Sequence, residues 1–376
     1  MQSGSNIAVK KGTIMIYRVF DIAEEVDLQK VEQSLRQTGG EARLGLTARS
    51  RNAVIVRNAP VRFSLGTEQL RMKEKFITAD IVATVWDYGA LSIAFQVPIQ
   101  SGTSWRELLS IASILNSPSE TIFDLDALAR KKSHSVVELL KDCLKRPAEW
   151  PAFEDYIIYF FEEIEGIIKT EDFISAVNLP ALILGDEEED LAESTRSGIL
   201  ENLFQYAEDD LVLVDWNSAV VLEPSGLREI PDVLEFALTH LLEVRYYDDL
   251  LDKRLAELYD SVEAGRNKYF GRQFSLISKD ANTRFIEFSE FMERMGNSLK
   301  VVGDFYLARI FRGALRRFRV HDWQENITRK MNVLAQVSEL IQGENNVRRS
   351  HLLEIIIIVL ILFELLAPLA RSIYGG

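Results

Sequence analysis

Ile14-Met15-Ile16-Tyr17 and Tyr156-Ile157-Ile158-Tyr159 are the two stretches on which the fold turns. Each is a short, continuous apolar run of β-branched and aromatic residues, the composition of a strand covered on both faces. Each is followed by an acid–Ile pair, Asp21-Ile22 and Glu163-Ile164, so strand and pair share one offset of 142 residues. An amphipathic helix is expected over Val26–Leu35 after the first run, and a helical stretch near Glu171–Val177 after the second.

A second echo lies further along. Asp80-Ile81-Val82 leads to Trp86, a turn at Asp87-Tyr88-Gly89 and a strand over Ala90–Phe95; Asp210-Leu211-Val212 leads to Trp216, a turn at Asn217-Ser218 and a strand over Ala219–Leu222, at an offset of 130. These turn residues cap their own backbone or tolerate positive φ. Each hairpin runs into a helix, Trp105–Leu115 or Pro231–Leu251. The expected fold class is α+β. Two β-α-β-β-α units, compatible with an internal duplication, precede a long helical stem and one C-terminal transmembrane helix. The expected boundaries are 1–145 for the first unit, 150–265 for the second, 266–351 for the stem and 352–370 for the span. Lys141–Pro151, with two prolines, reads as the linker. Trp86 and Trp216 are both expected to pack at the ends of their hairpins.

The span rests on Leu352–Ala370, LLEIIIIVLILFELLAPLA, 19 residues with two charges. A helix of that length covers about 28 Å, close to a bilayer core of about 30 Å. Arg329, Lys330, Arg348 and Arg349 precede it and only Arg371 follows, so the positive-inside rule puts the body in the cytoplasm, or on the matrix side of a mitochondrial inner membrane. Glu354 falls at the membrane edge. Glu364 falls inside, where a carboxylate should face another helix, so both are assigned to membrane or oligomer contact. Upstream, Ile327, Met331, Leu334 and Ile341 recur at the spacing of a short coiled-coil seam, which packs either within one chain as an antiparallel hairpin or, the favoured reading, between chains as a homo-oligomer.

Charge is unevenly spread. The 376 residues carry 43 Lys+Arg against 57 Asp+Glu, a net −14, a poor overall match for nucleic acid and for specific DNA binding. Residues 300–351 nonetheless hold ten basic against five acidic side chains. Arg309, Arg312, Arg316 and Arg319 share one helical face, and with Arg348 and Arg349 they are the candidate surface contacts. Anionic membrane lipid, a polyanionic partner such as ribosomal RNA, and ion pairs with the acidic body are the three readings of that stripe.

The same region resembles a known family. Asp304-Phe305-Tyr306, Lys330, Ser338-Glu339-Leu340, Asn346, Arg348-Arg349, Leu353-Glu354 and Glu364 resemble the DUF155 family of Rmd1/Rmnd1-like membrane proteins, as do the hairpin Leu211–Leu222 and Phe236-Ala237-Leu238-Thr239-His240. The likeness covers roughly 205–367 and departs at Leu307 and Ile355, where the family has Trp. It implies a single-pass membrane protein without established catalytic activity; eukaryotic relatives support mitochondrial translation as an anchor or organiser.

Motifs for chemistry are sparse. The sequence holds no phosphate loop, dinucleotide fingerprint, HExxH or GxSxG. The single Cys143 precludes a disulfide within the chain or a multi-cysteine metal site and reads as a small buried hydrophobe, while His240 reads as a satisfied core histidine. No cofactor, metal or catalytic residue is assigned. The expected function is a non-catalytic membrane scaffold or adaptor; the alternative is a tethered enzyme or ligand sensor with a site between the two α/β units.

Overall fold

A computed structural model of the chain describes residues 7–37, 43–44, 58–72, 75–116, 125–147, 150–167, 169–186, 191–263, 279, 283, 285–293, 305–336 and 354–361. The chain divides into two compact units, Met1–Tyr246 with Phe291–Trp323, and Tyr247–Glu290 with Gln324–Gly376.

The first unit is built on β1 (Ala8–Asp21), near the middle of a ten-stranded sheet in which the short β7 (Thr103–Ser104) pairs with the first residues of β1. β1 pairs antiparallel with β6 (Ala90–Pro98), Ile16 opposite Phe95, and on its other side with β9 (Glu154–Ile164), Ile16 opposite Ile157. Outward from β6 follow β5 (Lys75–Val85), β4 (Val61–Met72) and β3 (Arg43–Leu44). Outward from β9 follow β12 (Ser218–Leu222), β11 (Leu211–Val214) and β10 (Leu203–Phe204).

Helices cover both faces, which is why the deciding runs are apolar without alternation. On one face α2 (Trp105–Asn116), α3 (Leu125–Leu140) and α5 (Leu179–Leu184) close over Ile14, Ile16, Phe161 and Leu213. α2 opens with a capping box: Glu107 accepts from the Ser104 backbone N–H at 3.0 Å, and the Glu107 N–H donates to the Ser104 hydroxyl at 3.3 Å. The other face receives the first half of α7 (Glu229–Glu263) and a helix over Phe305–Arg317. There Tyr156 meets Phe318 edge-on at 5.3 Å and Phe236 stacks on Phe311 at 5.4 Å. Fully burying one such aromatic is worth about 1.5–3 kcal/mol.

The β5–β6 turn depends on Gly89, whose φ is +96°. A Cβ there would sit 1.6 Å from the Ala23 carbonyl oxygen, while the Gly89 carbonyl accepts from the Ile22 N–H at 3.0 Å. Only glycine allows that approach.

Three expectations need correction. First, the two α/β units do not stand apart. Their leading strands, β1 and β9, are hydrogen-bonded neighbours in one sheet. The echo also fails at its last strand: β6 runs antiparallel to β1, whereas β12 runs parallel to β9. A parallel neighbour requires a crossover, and residues 165–217 provide it with α4 (Thr170–Ala176), α5 and α6 (Glu193–Leu200). Second, the expected linker Lys141–Pro151 contains β8 (Leu144–Pro147), which pairs antiparallel with β2 (Ala23–Val26), so backbone hydrogen bonds tie it to the start of the chain.

Third, the transmembrane helix is not supported. Among the described residues no helix is long and apolar enough to cross a membrane. Of Leu352–Ala370 the described part is the helical stretch 354–361. The remainder, with Glu364, lies outside the described residues. The single-pass anchor, the membrane localisation and the orientation that depended on it are withdrawn.

In the second unit, Ile327, Met331 and Leu334 of the expected seam are buried within one chain; Ile341 lies outside the described residues. Lys330 bridges Asp248 at 2.7 Å and Asp252 at 2.6 Å, and Asn326 donates to Asp248 at 3.0 Å. Tyr247 meets Phe288 at 5.3 Å.

Candidate functional site

The helix over Phe305–Arg317, here α8, is strongly amphipathic. Leu307, Ile310, Phe311 and Ala314 are buried, and Arg309, Arg312 and Arg316 are exposed on the opposite side. α8 approaches the sheet closely because Gly313 lies against Phe204 of β10; a Cβ at 313 would stand 2.3 Å from the Phe204 ring.

Past the last turn of α8 the backbone enters the left-handed region at Arg319, φ 55°. Arg316, Arg317 and Arg319 thereby gather at the helix C-terminus, whose dipole favours cations. Facing them is the β11–β12 turn. Asp215 N–H donates to the Ser218 carbonyl at 2.8 Å, which leaves Trp216 and Asn217 at the tip. The Tyr156 hydroxyl donates to the Asp215 and Ser218 carbonyls at 3.0 and 2.8 Å. Asn217 donates to Asn116 at 3.2 Å, and the Ser218 hydroxyl to the Ile183 carbonyl at 2.8 Å. The tip is therefore fixed from below, and its indole points away from the core, 62% exposed.

Trp216, the three arginines, Glu201 and Asn202 line an open cleft of about 540 Å³, within the range that accepts a small-molecule or nucleotide-sized group. Its charges are only partly neutralised. Arg317 is held by the buried carboxylate of Asp215 through Nε, and Arg319 pairs with Asp322 at 2.6 Å. Arg309, Arg312 and Arg316 form no ion pair among the described residues; Arg312 Nε turns back to the Ala308 carbonyl at 3.1 Å. Ion pairing with the acidic body thus accounts for one of these five side chains and a local pair for another, which leaves a row of three positive charges facing solvent.

The sequence assigns Arg309, Arg312, Arg316 and Arg319 to one helical face; the structure exposes the first three on α8, and Arg319, past its end, lines the cleft with Arg316. Glu354 is exposed on the 354–361 helix; Glu364, Arg348 and Arg349 lie outside the described residues. Trp216, Glu201 and Asn202 escape the sequence reading. Trp86 and Trp216 occupy matching positions in the two hairpins, but Trp86 is 2% exposed and Trp216 is not buried. A tryptophan at a turn tip flanked by Asp and Asn was the available signal.

A separate polar cluster lies beneath the start of α7. Arg62 on β4 bridges Asp232 at 2.7 Å and Glu235 at 2.6 Å and donates to Thr84 at 3.1 Å. Burial raises the carboxyl pKa of Glu235, and the Arg62 guanidinium opposes that rise. The same two carboxylates raise the pKa of Arg62 against its burial. The void there, about 10 Å³, has room for one water molecule and no substrate. His240, on α7, is buried among Phe236, Phe291 and Phe311. It is a core histidine, but among the described residues neither ring nitrogen reaches a partner at hydrogen-bond geometry, so the expected satisfaction is missing there. Burial lowers its pKa to about 3, with the Phe236 carbonyl pulling weakly the other way.

Comparison with known proteins places most of this architecture in one family. The family model described as "Uncharacterized protein MJ0711, N-terminal domain" matches residues 11–229, a range that holds the sheet apart from the first residues of β1, with Glu201, Asn202 and Trp216, and stops at the first residue of α7. Uncharacterized protein MJ0711 of Methanocaldococcus jannaschii is 23% identical over 222 residues, 58% of this chain and 67% of that protein. No solved structure matches.

Proposed function

The chain belongs to the family of the MJ0711 N-terminal domain, and we propose that it acts as a non-catalytic adaptor that holds an anionic partner on the arginine face of α8. The observation that carries this reading is the row Arg309, Arg312 and Arg316, three exposed cations without carboxylate partners among the described residues of a chain with net charge −14. In so acidic a protein, acidic partners for surface arginines are plentiful. A face that stays unpaired is available to something outside the chain. The likeness to DUF155 proteins in Asp304-Phe305-Tyr306 and Phe236–His240 supports an organising role of the kind its relatives have in translation.

The reading is tested with heparin as a generic polyanion. Full-length protein should bind it at low salt, with an affinity that falls steeply as salt rises. Replacing Arg309, Arg312 and Arg316 together with Gln should weaken binding at least tenfold and flatten the salt dependence, with little change in melting temperature, because exposed charges contribute about 0–1 kcal/mol each to stability. Unchanged binding by the triple variant would remove the proposal.

A further inference from the structure

We infer that the partner of this face is single-stranded RNA, with one base stacked on Trp216 and its flanking phosphates on the arginines; the inference rests on the adaptor reading and deepens it. Four observations converge. The indole of Trp216 is exposed at the tip of a turn that Tyr156, Asn116 and Ile183 hold in place, so the ring is a preformed platform. A large flat ring left in water beside guanidinium groups suits a partner that has a π-face and a phosphate in the same repeating unit. A headgroup or a sulfated sugar has the anion without the face.

The basic row also runs between aromatic groups. At the opposite end of α8, Tyr206, which is exposed, lies 5.4 Å from Tyr306. From Tyr306 to Arg317 the axis is about 16 Å long, room for a few nucleotides between the two aromatic ends. Such interleaving of cations and rings follows an extended strand better than a duplex, whose bases are already stacked on one another.

The cleft further contains an acid. Glu201 and Asn202 line the cleft together with the arginines. A carboxylate repels phosphate, so its presence in a site for a simple polyanion has no use. It accepts a hydrogen bond from a ribose 2′-hydroxyl, which is the group that separates RNA from DNA. Finally, the chain as a whole is acidic, with −18 in residues 1–299. Contact is therefore confined to a short segment of strand, and the salt dependence should correspond to about three or four phosphates, a slope near −2 to −3 in log–log form.

The test uses full-length protein and three probes: a fluorescently labelled 12-nucleotide oligouridylate, the matching deoxy oligomer, and heparin, followed by anisotropy or competition. The expected result is that RNA binds more tightly than DNA. Trp216→Ala should weaken RNA binding about tenfold and leave heparin binding unchanged, and Trp216→Phe should recover most of the loss. Glu201→Ala should bring RNA and DNA together. Melting curves of each variant show that the fold persists, as expected for an exposed side chain. If heparin and RNA bind alike and Trp216→Ala weakens neither, the RNA inference fails while the anionic-partner reading stands. If neither heparin nor RNA binds at low salt, both fail. If DNA binds as well as RNA and Glu201→Ala changes nothing, the assignment to RNA is overturned.

Discussion

Arg317 donates its Nε hydrogen to Oδ1 of Asp215, a carboxylate 1% exposed whose second oxygen has no hydrogen-bond partner among the described residues. The pair joins the end of α8 to the turn that displays Trp216. It also sets the charge of the cleft, because it cancels one of the arginines that line it.

Asp215→Asn should therefore separate stability from binding. Loss of the buried charge partner is expected to cost about 1–3 kcal/mol, less than for a fully buried pair because Arg317 is a third exposed and can turn to water. Removal of the nearby negative charge should tighten polyanion binding about two- to tenfold. Urea unfolding and heparin titration of the same variant check both signs; a variant that loses stability and affinity together would show that Asp215 acts only by shaping the turn.

Gly313→Ala tests the docking of α8. Alanine in a helix interior is favoured over glycine by about 1 kcal/mol. Here its methyl would meet the buried ring of Phe204, and overpacking costs about 1–3 kcal/mol. A net loss of about 1–2 kcal/mol is expected in chemical denaturation, relieved when Phe204→Leu is added. A gain in stability would mean that Phe204 moves aside freely.

His240 makes acid stability depend on one ring. Its pKa falls from 6.5 to about 3 on folding, so the unfolded chain binds the proton first. The stability that depends on the neutral ring is present above pH 6.5 and is lost as pH falls, by about 1.4 kcal/mol per unit. His240→Phe keeps an aromatic group among Phe236 and Phe311 and removes the titration. Relative to wild type it should gain about 2 kcal/mol between pH 6.5 and pH 5, read from thermal or urea unfolding at the two pH values. A difference that does not change with pH would place the histidine in contact with water.

Asp21 acts in the opposite sense. Burial raises its pKa to about 8, against the pull of the Ala23 N–H. The folded state holds a proton that the unfolded state gives up near pH 4, so its cost appears above pH 4 and grows until about pH 8. Asp21→Asn should match wild type near pH 4 and exceed it by a few kcal/mol at pH 8. Equal stability at both ends of that range would show that the carboxyl is ionised in the fold.

The strands were legible where burial is two-sided. Ile14–Tyr17 and Tyr156–Tyr159 lie within β1 and β9 because a run without polar alternation has few other places in a folded chain. Pairing was not legible. A repeated pattern shows that Ile16 and Ile158 have similar surroundings, but not that their strands hydrogen-bond to each other, and no local signal distinguishes a parallel from an antiparallel neighbour for β12. The arginine face could be read from spacing for 309, 312 and 316, which fall on one side of a helix, but not for Arg319, where the chain leaves helical geometry. Trp216 left only a faint signal, its flanking Asp215 and Asn217, where Trp86 follows Val85 in an otherwise similar hairpin. Tyr88, which lies against Trp86 at 6.5 Å and against Phe291 at 5.3 Å, helps close that hairpin, and Phe291 comes from 200 residues further along the chain. The apolar run at 352–370 drew a membrane reading from hydropathy alone, and among the described residues no helix is long and apolar enough to cross a membrane.

The central place of β1 has a consequence for the order in which the protein is made. Its two long neighbours are β6 and β9, and β9 is about 140 residues distant in sequence. During synthesis, a nascent chain that has emerged only as far as residue 150 can zip β1 against β6 but leaves the other side of Ile14-Met15-Ile16-Tyr17 as an open apolar edge, a template for another chain. Release of Glu154–Ile164 closes that edge. Chains stalled before residue 154 should therefore clump or recruit chaperones, whereas those stalled after residue 222, once β12 has also emerged, should be markedly less prone to do so.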